Sequence, residues 1–393
     1  MMHIHPFPAR MAPEIALTGL EQLPSDYCIL DPMSGSGMVL GTAAKLGLNA
    51  IGYDLDPLAC MISRVNGSEI DEKKVEEDFQ YFLVSAREIF NKNLHLSWID
   101  TDKETFNYIN FWFAPKQQQQ LRALSYLLVE NPINQDQKTL DFLKTVVSRL
   151  IITKEPKASL ARDTAHSRPH RTISENNFDI FDALPKSFKH VMTVLQSNKI
   201  KKNVTTYLGD ARDMNHISDA SIDSIITSPP YLNAIDYMRG HRLSLVWMGY
   251  DMSQLRRIRA QSVGSETVDK NFYCSTFQSF IESMPSKIEE KKIKILYRYF
   301  NDLKLIVKEA YRVLKPNRNA TYVIGNSNIK GYEVKNSDLL KFAAQEVGFE
   351  ISEQKIRTIP ENRRYMPLIN SPQSALTNRM RSEHVITFKK VSS

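Results

Sequence analysis

The stretch Tyr27-Cys28-Ile29-Leu30-Asp31-Pro32-Met33-Ser34-Gly35-Ser36-Gly37-Met38 decides the architecture. Its first four residues are a short apolar run, which predicts a strand ending at Asp31-Pro32. Met33 to Gly37 reads as a turn and Met38 to Leu46 as a helix. Asn49-Ala50-Ile51-Gly52-Tyr53 predicts a second strand, closed by Asp54-Leu55-Asp56-Pro57. Strand, glycine turn, helix, strand and acid is the grammar of a doubly wound α/β sheet. Gly35 and Gly37 sit where a strand must turn sharply into a helix. Glycine permits positive φ there and lets a ligand approach the backbone. The helix that follows offers free N–H groups at its start.

From Ser68 to Lys202 the character changes: glycine is absent and helical spacing prevails. Gln117 to Leu128 and Leu140 to Ile152 both read as amphipathic helices. Ala161-Arg162-Asp163-Thr164-Ala165-His166-Ser167-Arg168-Pro169-His170-Arg171-Thr172 reads instead as a basic loop. The sheet grammar then resumes. Val204 to Leu208 is a strand ending at Gly209-Asp210, and Ile222 to Thr227 is an apolar strand ending at Ser228-Pro229-Pro230-Tyr231. Leu296, Phe300, Leu303, Val307, Ala310 and Leu314 mark one face of a long helix that stops at Lys315-Pro316. Ala320 to Gly325 reads as a strand and Leu339 to Val347 as a helix. Thr358 to Pro367 and Glu383 to Lys389 read as the final strands. The expectation is one α/β domain built from both ends of the chain, 1–67 and 203–393, interrupted by a mostly helical insert at 68–202.

Three acids lie at or beyond strand ends. Asp54, about twenty residues after the glycine turn, suits the hydroxyls of a ribose. Asp210, after the insert, suits an exocyclic amine of adenine. Asp31, just before the turn, would repel a pyrophosphate and suits an ammonium. A lone G-x-G is also compatible with a plain structural turn. The third glycine of a dinucleotide fingerprint would fall at Leu40, against NAD. An adenosine ligand that carries an ammonium and no phosphate is S-adenosylmethionine.

Ser228-Pro229-Pro230-Tyr231 complements that reading. Two successive prolines fix φ and remove two N–H donors, leaving rigidly aimed carbonyls. With the Ser228 hydroxyl as a further acceptor, the turn suits a substrate NH2 group. An aryl amine is a poor nucleophile because its lone pair is delocalised. Acceptors on its hydrogens free that pair for in-line attack on a sulfonium methyl. Tyr231 offers a ring face for an extruded base.

These motifs together resemble the amino-methylating DNA methyltransferases. Asp31-Pro32-Met33-Ser34-Gly35-Ser36-Gly37 is similar to their D-P-F-x-G-S-G cofactor loop, and Thr227-Ser228-Pro229-Pro230-Tyr231 to their catalytic loop. His5-Pro6-Phe7-Pro8-Ala9-Arg10 is similar to the F-P-A-K/R segment that precedes the cofactor loop. The resemblance implies an α/β fold, a Rossmann-like methyltransferase sheet that binds S-adenosylmethionine. It implies Phe7 and Pro8 near the methionine moiety, with Asp31, Met33, Gly35, Ser36 and Gly37 in the cofactor loop. Asp54 falls at the ribose and Asp210 near the adenine. Serine in the first position of the catalytic loop is the form most often seen in cytosine-N4 enzymes. The long insert is a departure, since it precedes Asp210 rather than following the catalytic loop. Cytosine-C5 chemistry fits poorly, because no Pro-Cys pair supplies a thiolate.

Composition agrees with this picture. Net charge is +7 over 393 residues, which suits a polyanionic partner whose counterions are released on binding. Asp141 to Lys202 carries twelve Lys/Arg against six Asp/Glu. The candidate DNA contacts are Arg168 and Arg171 in the basic loop, Arg239 after the catalytic loop, Arg256 and Arg257, and Arg363 and Arg364. Three scattered cysteines, no secretory signal and no apolar run of membrane-spanning length favour a cytoplasmic protein. His3 and His5 have no acid or cysteine at ligand spacing, so local packing is expected rather than a metal site.

The reading is a DNA methyltransferase acting on cytosine N4 in double-stranded DNA. A target base inside a duplex must be flipped out to be reached. Adenine-N6 methylation and RNA base methylation are the alternatives that use the same apparatus. A cognate restriction endonuclease is a candidate companion.

Overall fold

The computed structural model describes residues 3–8, 11–134, 136–163, 168–232, 236–263, 275–282, 289–329, 332–359 and 382–392. The chain runs through α1 (Pro13–Leu20), β1 (Cys28–Asp31), α2 (Met38–Leu46), β2 (Asn49–Asp54) and α3 (Pro57–Asn66). The helical stretch follows with α4 (Glu72–Ile89), α5 (Ser97–Asp100), α6 (Lys103–Trp112), α7 (Pro115–Ser125) and α8 (Gln137–Ile151). A small hairpin of β3 (Ala161–Arg162) and β4 (His170–Arg171) precedes α9 (Ile180–Asn198). The sheet resumes with β5 (Thr205–Leu208) and β6 (Ile222–Thr227), followed by α10 (Tyr237–Leu245), α11 (Met252–Gln261) and α12 (Ser275–Glu282). The last part holds α13 (Glu290–Val313), β7 (Leu314–Ile324), β8 (Ser327–Ile329), β9 (Tyr332–Val334), α14 (Asn336–Glu346), β10 (Phe349–Thr358) and β11 (Ser382–Lys390).

Seven strands form one sheet in the order β10-β11-β7-β6-β1-β2-β5. β5, β2, β1, β6 and β7 are mutually parallel, and β11 runs antiparallel to both of its neighbours. The chain leaves β1 toward β2 on one side and returns to β6 on the other. In open α/β sheets a crevice forms at such a reversal, outside the carboxyl ends of the strands. Here those ends are Asp31 and Thr227, the two positions that carry the motifs.

Alternate residues of each strand face opposite sides of the sheet, as the pleat requires. Leu30, Ile225 and Tyr322 pack with α13 and α14, while Ile29, Ile226 and Val323 pack with α1 and α2. β6 is buried at every position because it is central. β10 is an edge strand and almost wholly exposed, so its residues show no apolar alternation. Of the strand expected from Thr358 to Pro367, Thr358 ends β10, Ile359 lies beyond it, and 360–381 lie outside the described residues.

The helices between β2 and β5 share one apolar cluster. Asp71, Asp102, Asp136 and Asp179 each accept a backbone amide at a helix start, a cap worth about 1 kcal/mol. Met238, Leu243, Trp247 and Leu255 join the same cluster, so α10 and α11 pack with these helices although they follow the Ser-Pro-Pro-Tyr turn. Sequence spacing alone did not reveal this. Among the described residues no helix is long and apolar enough to cross a membrane.

Candidate active site

The glycine turn is gripped from two sides. The Ser34 amide donates to the Tyr53 carbonyl (2.8 Å), and the Gly35 amide to Oδ2 of Asp54 (2.8 Å). From α3, Ser63 Oγ donates to the Gly35 carbonyl (2.9 Å) and Asn66 Nδ2 to the Gly37 carbonyl (3.2 Å). Gly35 and Gly37 have φ of +49° and +74°, in the left-handed region. A Cβ on Gly37 would lie 2.8 Å from Ser63 Cα, a backbone atom that cannot rotate away. Left-handed geometry costs a non-glycine residue about 1–2 kcal/mol, and forced overpacking about 1–3 kcal/mol. Gly37→Ala is therefore expected to lower the unfolding free energy by about 2–5 kcal/mol, read by denaturant titration. A change below about 0.5 kcal/mol would contradict this packing.

Phe7 lies against the turn, 3.4 Å from the position a Gly35 Cβ would take. Its ring stacks on Tyr237 (5.7 Å between centroids) and meets His241 at 5.1 Å. Pro8 is buried, while Ala9 and Arg10 lie outside the described residues. Arg149 donates to the Ile4 carbonyl (2.6 Å), and His5 Nε2 lies 2.7 Å from Ser148 Oγ. The N-terminal segment is thus held against α8. Among the described residues no three His, Cys, Asp or Glu side chains are grouped to hold a metal ion.

The acids differ in their bonding. Asp31 is 3% exposed, and its Oδ1 accepts the Thr227 hydroxyl (2.7 Å) and the Met33 amide (3.3 Å). Burial pushes its pKa up to about 7, against which the Thr227 hydroxyl works. Asp54 accepts the Gly35 amide at one oxygen and the Asp56 amide at the other (2.9 Å). Burial, and then the charge of Asp56, raise its pKa to about 6. Asp210 lies beside Asp54, since the Gly209 amide donates to the Asp54 carbonyl (3.0 Å). Its carboxylate is clasped by Arg212 (2.6 Å at the closest), which also pairs with Asp302 (2.5 Å). Met33 and Ser36 are partly exposed along the rim of the turn.

The residues of the Ser-Pro-Pro-Tyr turn are held by the neighbouring strand and helix. Ser228 Oγ donates to the Val323 carbonyl (3.1 Å), so its lone pairs remain as acceptors. Tyr299 donates its hydroxyl to the Pro230 carbonyl (3.0 Å). The Pro229 carbonyl has no protein donor among the described residues. Tyr231 is half-buried and donates to Glu383 (3.3 Å), whose other oxygen accepts Arg357 (3.0 Å). Burial, and then the Glu383 charge, hold the Tyr231 phenol well above its ordinary range. The Thr227–Asp31 bond joins this loop to the glycine turn directly.

The candidate DNA contacts have distinct surroundings. Arg168 is exposed, and Arg171 lies over the Phe111 ring at 5.0 Å beside an open groove. Arg239 and Arg257 are exposed. Arg256 is paired with Glu104 and so is not a free cation. Arg363 and Arg364 lie outside the described residues. The sequence reading missed Tyr237, His241, Arg212 and Glu383, which complete the site from other elements.

No protein-family model matches the chain. Among curated proteins it is similar to the Type II methyltransferase M.MvaI of Kocuria varians, 23% identical over 98% of this chain and 90% of that protein. It is also similar to the Type II methyltransferase M.BsoBI of Geobacillus stearothermophilus, 27% identical over 82% of this chain and 73% of that one. A solved SAM-dependent methyltransferase from Methanosarcina mazei aligns with 98% of this chain and 100% of its own, at 11% identity and a TM-score of 0.36. The similarity to the two curated methyltransferases extends over most of the chain.

Proposed function

We propose that this chain transfers a methyl group from S-adenosylmethionine to the exocyclic N4 of a flipped cytosine in double-stranded DNA. The observation that carries the reading is the hydrogen bond from Thr227 to Asp31, which sets the Ser-Pro-Pro-Tyr turn against the glycine turn at the sheet's crevice. The residues fit the cofactor. Asp31, Asp54 and Asp56 border the glycine turn; they repel a pyrophosphate and suit an ammonium and a ribose diol. The turn leaves no room for a side chain at Gly37. When bound, S-adenosylmethionine supplies an electrophilic sulfonium methyl.

The protein supplies position and hydrogen-bond acceptors. Ser228 Oγ and the Pro229 carbonyl accept the two amine hydrogens, which localises the nitrogen lone pair for in-line attack. The C–N bond would form as the C–S bond breaks, the sulfur leaving as a neutral thioether and the extra N4 proton passing to solvent. Tyr231 stacks on the extruded base, and Phe7 packs near the methionine moiety. Asp210 is the acceptor for the adenine amine, sharing its carboxylate with Arg212. The basic hairpin of the insert, with Arg168 and Arg171, and the exposed Arg239 and Arg257 anchor phosphates around the site. Exchange of condensed counterions favours such contacts. The 68–202 insert together with α10 and α11 forms the DNA-facing part, and a cognate restriction endonuclease is the companion that a Type II relative suggests.

The test is the product. Duplex DNA methylated by the purified chain is digested to nucleosides and analysed by mass. N4-methylcytosine is expected. N6-methyladenine in its place would overturn the base assignment, and methylation of RNA alone would overturn the substrate class.

A further inference from the structure

The helix that follows the catalytic loop is tied to the glycine turn by an unbroken run of hydrogen bonds. His241, on α10, is fully buried, and its Nδ1 donates to Oδ2 of Asp56. Oδ1 of Asp56 caps α3 through the Leu58 amide (2.9 Å), and the Asp56 amide donates to Oδ1 of Asp54 (2.9 Å). Oδ2 of Asp54 accepts the Gly35 amide (2.8 Å). The glycine turn, the end of β2 19 positions on, and α10, 185 positions beyond Asp56, thus share one polar thread. The second ring nitrogen of His241, Nε2, is buried with no partner among the described residues. A buried nitrogen left unpaired carries a cost that a hydrocarbon in its place would not. The imidazole is therefore kept for the bond it makes at Nδ1. Phe7 rests on the same ring and on Gly35, so apolar packing follows the polar path.

We propose that His241 is a positioning residue for the cofactor. It holds Asp56, and through it Asp54 and Gly35, in the arrangement that receives the ribose and the methionine moiety. This rests on the reading of the site as a pocket for S-adenosylmethionine. It also ties the element next to the catalytic loop to occupancy of that pocket.

Two amide substitutions separate this from a purely structural role. Asn places its Nδ2 where Nδ1 of histidine stands, and so keeps a donor for Asp56. Gln places its amide nitrogen nearer the position of Nε2 and leaves Asp56 unpaired. Both remove the ring. Calorimetric titration of the full chain with S-adenosylmethionine, with melting temperatures and saturating-cofactor kcat alongside, reads the outcome. His241→Gln is expected to weaken binding about ten- to a hundredfold, the range for a buried charge-assisted hydrogen bond, with kcat kept within about threefold. His241→Asn is expected to bind within about threefold of the parent. Equal affinities in the two variants, strong or weak, would overturn the proposal. If His241→Gln does not fold, His241→Phe replaces it, since it keeps a ring for Phe7 and removes the donor to Asp56. The same weakening is expected, and unchanged affinity overturns the idea. A parent chain that binds no S-adenosylmethionine would instead refute the functional reading beneath it.

Discussion

Tyr231→Ala is expected to reduce single-turnover methyl transfer about a hundredfold while leaving the Kd for S-adenosylmethionine within about threefold. Stacking of a base on an aromatic ring is worth about 1–3 kcal/mol, and 1.4 kcal/mol is about tenfold. The upper part of that range applies because the ring is already fixed before a base arrives. Its hydroxyl is held by Glu383, which Arg357 holds in turn, and the Pro230 carbonyl beside it is fixed by Tyr299. A preset ring face spares the entropy of ordering it in the complex. Tyr231→Phe keeps the face and loses one hydrogen bond, so it should retain activity within about fivefold. Rates are read by transfer of labelled methyl to duplex DNA at saturating cofactor. If Phe were as damaging as Ala, the hydroxyl rather than the ring would be the working part. Undiminished transfer in Tyr231→Ala would remove the stacking role altogether.

The parts of the site that the sequence made legible are those written in consecutive residues. The glycine turn, Asp54 at the end of the next strand, and the proline corner each carry their constraint within a few positions, because backbone geometry is local. What joins them is not local. Thr227 meets Asp31 across 196 positions, His241 meets Asp56 across 185, and Tyr231 meets Glu383 across 152. A single sequence holds no periodicity or spacing from which such pairings can be read. Arg212 stands only two residues from Asp210 and pairs with it locally; what the sequence hid is its second partner, Asp302, which α13 brings alongside. The fold shows the parallel contrast. β6 was found at its observed bounds because a central strand is apolar on both faces, whereas β10 lies at an edge and carries no such signature. Likewise two helices between β2 and β5, read at Gln117 to Leu128 and Leu140 to Ile152, announced themselves by period and correspond to α7 and α8. Nothing in the residues of α10 and α11 said that they would share their core.

Cofactor affinity is expected to rise about tenfold per pH unit between pH 5 and 7 and to level off above. The cause is Asp31. In the ligand-free protein burial raises its pKa to about 7, so below that pH the carboxyl is mostly protonated. The Thr227 hydroxyl and the Met33 amide both donate to it and favour the charged form, but two donors do not offset complete burial. An ammonium brought into the crevice shifts the balance: its charge stabilises the carboxylate, so binding expels the proton. At pH 5 that proton must be removed against a gap of about two units, which is about a hundredfold in affinity. The stability of the free protein moves the other way. A carboxyl with a folded pKa above its unfolded value binds extra protons in the native state between about pH 4 and 7, so its contribution to stability falls as pH rises through that window. Asp54, raised to about 6, adds to both trends. Asp31→Asn removes the titration while keeping an acceptor for Thr227, and should give weaker affinity with a much flatter pH profile. Calorimetry in buffers of different ionisation enthalpy measures the released proton directly. Release should be largest near pH 5 and fall to about half a proton from Asp31 near pH 7 in the parent chain, and be small in the variant. A parent affinity that is flat from pH 5 to 7 would mean that no cation is drawn to Asp31, and the reason for a buried acid at the end of β1 would have to be sought elsewhere.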